Sequence, residues 1–89
     1  MEKSIFSREY SILLRLLKET RRNANITQVD LAQRLEQSQS FVSKCERGES
    51  RIDVIQLRTI CHALETTLPD FINKLELQLN NKRRKKKPD

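Results

Sequence analysis

With 89 residues, 36% apolar and 34% charged, the chain has room for one small domain with a lean core and none for a second. One glycine and two prolines are too few turn formers for an all-β sandwich or barrel, and no apolar run is long enough to span a membrane. The net charge of +6 misleads as a description of the body, because residues 82–87 supply six positive charges and the first 81 residues hold twelve basic against eleven acidic side chains.

Five amphipathic helices are predicted, each opened by a side-chain cap. The first covers 7–22 and is capped by Ser7. Tyr10, Leu13, Leu14 and Leu17 recur at spacings of three and four, and Ile12 and Leu16 widen that stripe. The second covers 27–35, where Thr27 and Asp30 form a capping-box pattern, Ile26 and Leu31 a hydrophobic staple, and Leu31, Ala32 and Leu35 the buried face. The third covers 38–47, with Ser38 as cap, Val42 and Cys45 inward, and Gly48 free to take the left-handed turn that ends it. The fourth covers 53–64: Asp53 and Gln56 form a second box, Ile52 can staple to Leu57, and Val54, Leu57, Ile60, Cys61 and Leu64 share a face. The fifth opens at Thr67, with Asp70 three residues on and Pro69 tolerated in the first turn. Leu68, Phe71, Ile72, Leu75 and Leu79 share its face, and Leu77 points elsewhere. The expectation is an all-α, compact five-helix bundle over 7–80, followed by a disordered basic tail over 81–89.

Little in this pattern suggests chemistry. No paired carboxylates, nucleophile–base set or glycine-rich phosphate loop is evident, so neither an enzyme nor a cofactor is expected. Cys45 and Cys61 sit at inward positions without a second Cys or His at ligand spacing, which argues for small apolar residues and against zinc or a disulfide. His62 stands alone on its helix. Two cysteines in apolar contexts are too few for a disulfide framework, so a reducing cytoplasm is the expected compartment, and the N-terminus lacks the apolar run of a signal peptide.

Only Glu36 and Gln37 separate the second and third helices, so the stretch 27–47 has the layout of a helix-turn-helix, whose second helix enters the DNA major groove. The outward strip of the third helix reads Gln39, Ser40, Ser43, Lys44 and Arg47. Gln offers a donor and an acceptor that fit an adenine edge, Lys reaches guanine, and Ser contacts bases or phosphates. The plainer alternative is a solvated polar face. For the tail, the choice lies between nonspecific phosphate attraction and simple solubilisation.

Residues 13–71 resemble the Xre/Cro-type helix-turn-helix family, the fold of the lambdoid phage repressors. Thr27-Gln28-Val29-Asp30-Leu31-Ala32-Gln33-Arg34-Leu35 is similar to the family's (S/T)QxxLAxxL helix. Gln39-Ser40-Phe41-Val42-Ser43-Lys44-Cys45-Glu46-Arg47-Gly48 is similar to its QSxVSxxERG recognition helix, and Ile60-Cys61-His62-Ala63-Leu64 to its IAxAL segment. The resemblance implies a lambda-repressor-like regulator of transcription that binds double-stranded DNA as a homodimer on a palindromic operator, at the nucleoid. A phage-type repressor, a restriction-modification controller and an antitoxin all use this domain, and a toxin or the polymerase stands as a further partner. Carried over by position, Gln39, Ser40 and Lys44 would read bases, while Gln28, Ser43, Arg47 and Arg51 would touch phosphates. Arg21 and Glu46 would form an ion pair between the first and third helices. Phe41 would edge the core or touch a thymine methyl, with the core favoured. Two positions depart from the family's glycines: Glu36 in the turn and Glu65 after the fourth helix, each costing about 1–2 kcal/mol if φ is positive. The competing function is a protein-interaction module built on the same bundle, which would call for an apolar strip where this chain is polar.

Overall fold

The computed structural model describes residues 7–85, and side chains as far as Asn81. The element order is α1 (Arg8–Asn23), α2 (Gln28–Leu35), α3 (Gln39–Arg47), α4 (Val54–Ala63) and α5 (Leu68–Lys85), with no strand among the described residues. The first four helices start where a short polar side chain replaces the missing intrahelical acceptor. Ser7, Thr27, Ser38 and Asp53 each accept from the backbone N–H three residues on, and Thr27–Asp30 and Asp53–Gln56 close full capping boxes. Thr67 Oγ1 likewise accepts from the Asp70 N–H at 3.2 Å at the start of α5.

All four interhelical turns end the preceding helix in the same way. Asn25, Glu36, Gly48 and Glu65 have positive φ (61°, 58°, 83° and 67°). At each, the next residue's N–H reaches back five residues: Ile26 to the Arg21 carbonyl, Gln37 to Ala32, Glu49 to Lys44 and Thr66 to Cys61, at 2.9–3.1 Å. These are Schellman closures, which satisfy carbonyls the helix itself leaves open. Glu36 and Glu65 therefore do adopt the conformation that glycine would adopt at lower cost.

α3 packs against α1 and α2, α4 against α2 and α5, and α5 back onto α1. The core this creates runs from Leu17 and Ile26 through Leu31, Val42, Leu57, Ile60 and Cys61 to Phe71, which is 2% exposed. α1 is held between α3 and α5, so it buries two adjacent stripes, Ile12 with Leu16 and Leu14 with Leu17 and Arg21. Tyr10 and Leu13, expected in the buried stripe, fall at its margin and are half-buried.

Three expectations need correction. Val54, assigned to the inward face of α4, is 61% exposed, because the first helical position lies off the end of the packed stripe Leu57–Ile60–Cys61–Leu64. Leu35 reaches the core only partly, being the last residue of α2, and Leu68, Ile72 and Leu79 flank the buried pair Phe71 and Leu75. The helical path of α5 continues past Asn80 to Lys85. Residues 86–89, the end of the expected basic tail, lie outside the described residues.

Candidate nucleic-acid interface

The α2–α3 pair is joined by a three-residue turn, and α3 lies on the bundle with Val42 and Cys45 buried beneath it. A helix of nine residues anchored by two inward side chains presents the opposite face to solvent. Gln39, Ser40, Lys44 and Arg47 are exposed there, while Ser43 is half-buried. Phe41 is half-buried and packs against the core. The first turn of α3 carries no acidic side chain, so its positive dipole end is not neutralised locally.

Behind this strip runs a connected set of hydrogen bonds. Arg21 Nε and Nη2 donate to the two oxygens of Glu46 at 2.6 and 3.2 Å, and Nη1 donates to the Ile26 carbonyl at 2.8 Å. The two side chains are 8% and 5% exposed, so this is a buried, forked ion pair tying α1 to α3. Glu46 Oε1 also accepts from Gln28 Nε2 at 3.0 Å, and Gln28 Oε1 accepts from Gln39 Nε2 at 3.3 Å. The first residues of α2 and α3 are thereby in direct contact. No buried side-chain polar atom among the described residues lacks a partner.

At the far end of α3 the cations are engaged within the chain. Arg47 donates through Nε and Nη2 to Glu49 at 2.9 and 3.1 Å and through Nη1 to Ser43 Oγ. Hydrogen bonding from Arg47 to Glu49, and then the charge of Arg47, holds the Glu49 carboxyl below its ordinary range, with a smaller contribution from Lys44. Arg51 lies with its guanidinium 4.7 Å from the centre of the Tyr10 ring. Tyr10 Oη in turn accepts the Ile52 N–H at 3.1 Å, so one aromatic residue of α1 fixes the α3–α4 loop at two points. On the other side of the motif, Arg34 donates to the Ala63 carbonyl and to Glu65, linking α2 to the end of α4.

Two of these features have no signature in the sequence. Tyr10 reads as one more apolar residue of α1, because nothing in its spacing reveals a loop packed against its hydroxyl. Glu49 pairs with Arg47 across Gly48, a separation of two that has no meaning on a helix and becomes close only through the left-handed turn. Burial pushes the Cys45 and Cys61 thiols up, Cys61 to about 11, as expected of apolar packing. His62 is exposed, and the described residues hold no group of three potential metal ligands.

A family model described as helix-turn-helix matches residues 17–71. Among solved structures, the chain is similar to an XRE-family like protein from Pseudomonas syringae pv. tomato str. DC3000, with 46% identity and a TM-score of 0.75 over 79% of this chain and 85% of that one. It is also similar to a point mutant of the restriction-modification controller protein C.Esp1396I, with 26% identity and a TM-score of 0.75 over 82% and 92% of the two chains. The clp gene regulator ClgR from Corynebacterium glutamicum shares the fold at 23% identity and a TM-score of 0.67, over 86% of each chain. No curated protein matches the sequence.

Proposed function

The chain belongs to the Xre-type helix-turn-helix family and is a DNA-binding transcription regulator rather than an enzyme; from that premise we propose that it reads a palindromic operator as a homodimer, with α3 in the major groove. The observation that carries this reading is the outward face of α3, where Gln39, Ser40 and Lys44 are exposed beside an N-terminus free of acidic side chains. Gln39 and Ser40 sit in the first turn, the part of a recognition helix that meets base edges, and Lys44 follows one turn later. Gln28, Ser43, Arg47 and Arg51 flank this strip and take the phosphates that set its register.

Pairing follows from information content. One recognition helix reads a few base pairs, too few to find one operator among many competing sites. Two copies related by a two-fold axis double the sequence read and require half-sites about 34 Å apart. Among phage-type repressor, controller and antitoxin, the likeness to C.Esp1396I over 92% of that chain supports the controller. Selection from a random duplex library by the purified chain and by Gln39→Ala tests the groove assignment. The variant should bind the selected operator about 1–3 kcal/mol more weakly and lose the preference at one base position per half-site. A Gln39→Ala protein that selects the same operator as the wild type would sink this reading.

A further inference from the structure

We infer that Glu46, which the helix-turn-helix buries out of reach of any base, sets which base Gln39 prefers by fixing the orientation of two amides in series. This rests on the reading of Gln39 as a base-contacting residue. A glutamine amide has a donor end and an acceptor end that are nearly equal in shape, so its sense is decided by its partners. A carboxylate committed to Arg21 is acceptor-only. Gln28 must therefore turn its Nε2 toward Glu46, as it does at 3.0 Å. Its Oε1 is left facing α3, and that oxygen accepts from Gln39 Nε2 at 3.3 Å. Gln39 in turn spends one N–H on Gln28 and offers outward one N–H and its own Oε1. One donor beside one acceptor matches the N7 and N6 edge of adenine. Guanine presents two acceptors there, N7 and O6, and calls for two donors.

The forked pair makes this a rigid reference. Arg21 holds both oxygens of Glu46 and is itself held by the Ile26 carbonyl, at 2.8 Å, so the carboxylate cannot rotate away from Gln28. Glu46 is a positioning residue. Replacing its carboxylate with an amide gives Gln28 a partner that can donate, which allows Gln28 to reverse. A reversed Gln28 donates to Gln39 Oε1, and Gln39 then turns both N–H groups outward, toward guanine.

The test uses the full chain and the operator it selects from a random duplex library. Gln39→Ala first assigns the base position, and duplexes with adenine or guanine at that position are then titrated. Wild type should prefer adenine, and Glu46→Gln should reduce the adenine-to-guanine affinity ratio at least tenfold while preferences at other positions persist. Circular dichroism establishes whether Glu46→Gln folds. Should it not, Gln28→Met decides, because it leaves the Arg21–Glu46 pair intact and unties Gln39. Overall affinity falls in that variant, and the ratio should fall as well. An unchanged ratio in the folded Glu46→Gln protein, or in Gln28→Met where that variant decides, overturns the proposal and leaves the groove reading standing. A Gln39→Ala protein with wild-type preferences overturns both.

Discussion

Arg47 illustrates how a side chain in a suitable place can be occupied beforehand. It ends α3 facing outward, yet Glu49 and Ser43 already hold its guanidinium. Both members of the pair are 54% exposed, so water and salt weaken it, and in the proposed docking a DNA phosphate would compete with Glu49 for the same donors. Glu49→Gln should raise affinity for all duplexes alike, several-fold at low salt, without changing the selected sequence. The same substitution in an Arg47→Ala background should have a smaller effect, and titrations of the four proteins measure the difference. Equal effects in the two backgrounds would mean that Glu49 acts on DNA directly. Cys61 gives a prediction of a different kind. Burial raises its thiol from the ordinary value near 9.0 to about 11, so the folded chain resists ionisation that the unfolded chain undergoes first. This part of the stability is fully present below about pH 9 and is lost as pH rises toward about 11. Urea titrations at pH 7 and pH 10.5 should show a smaller loss for Cys61→Ala than for the wild type; an equal loss would remove Cys61 from the alkaline transition.

At the scale of the element, the helices are set by their ends. Four caps open α1 to α4, and four left-handed residues close them, only one of which is glycine. Glu36 has φ 58° and Glu65 φ 67°, and each carries the crowding of a Cβ that Gly48 avoids. Glu65 is partly compensated by its contact with Arg34. Glu36→Gly should therefore stabilise the chain by about 1 kcal/mol, a rise of roughly 4–8 °C in Tm for a domain of this size. A lower melting temperature would show that Glu36 contributes something the backbone alone does not account for. The joint between α1 and α3 should behave in the opposite way. Because Arg21 and Glu46 are almost fully enclosed, Arg21→Met leaves a carboxylate buried with only Gln28 beside it, at a cost of about 3–5 kcal/mol. Arg21→Met combined with Glu46→Leu should cost less than the two single changes added together, and strict additivity in thermal melts would deny the coupling.

For the whole molecule, the proposed homodimer requires a surface that meets a second copy. On α5, Leu79 packs against the core, while Leu77 remains 63% exposed. Val54 and Ile55, at 61% and 68% exposure, form a second apolar spot at the start of α4. Isolated surface leucines need no explanation, but a two-fold interface does need apolar area near its centre. Sedimentation at micromolar concentration should show a dimer for the wild type, with or without a palindromic duplex, and a monomer for Leu77→Glu. Dimeric Leu77→Glu with monomeric Ile55→Glu would move the interface to α4. A wild type that stays monomeric on a palindromic duplex would defeat the dimer altogether.

The division between what the residue order specifies and what only packing decides follows from the range of the interactions. Helix starts, the stops of α1 to α4 and most of the core were legible in advance, because a cap acts over three residues and an amphipathic stripe repeats every three or four. The exposed position of Gln39, Ser40 and Lys44 was legible for the same reason: with Val42 and Cys45 inward, the opposite face of so short a helix points outward. Val54 obeys the same spacing and is nevertheless exposed, since periodicity does not reveal where a neighbouring helix ends. Tyr10 over the α3–α4 loop, Glu49 on Arg47, and the series from Arg21 through Glu46 and Gln28 to Gln39 each join residues whose proximity is created by a turn or by another helix. Local spacing determines which groups face outward, and tertiary structure determines which of them are already bound and which way their donors point.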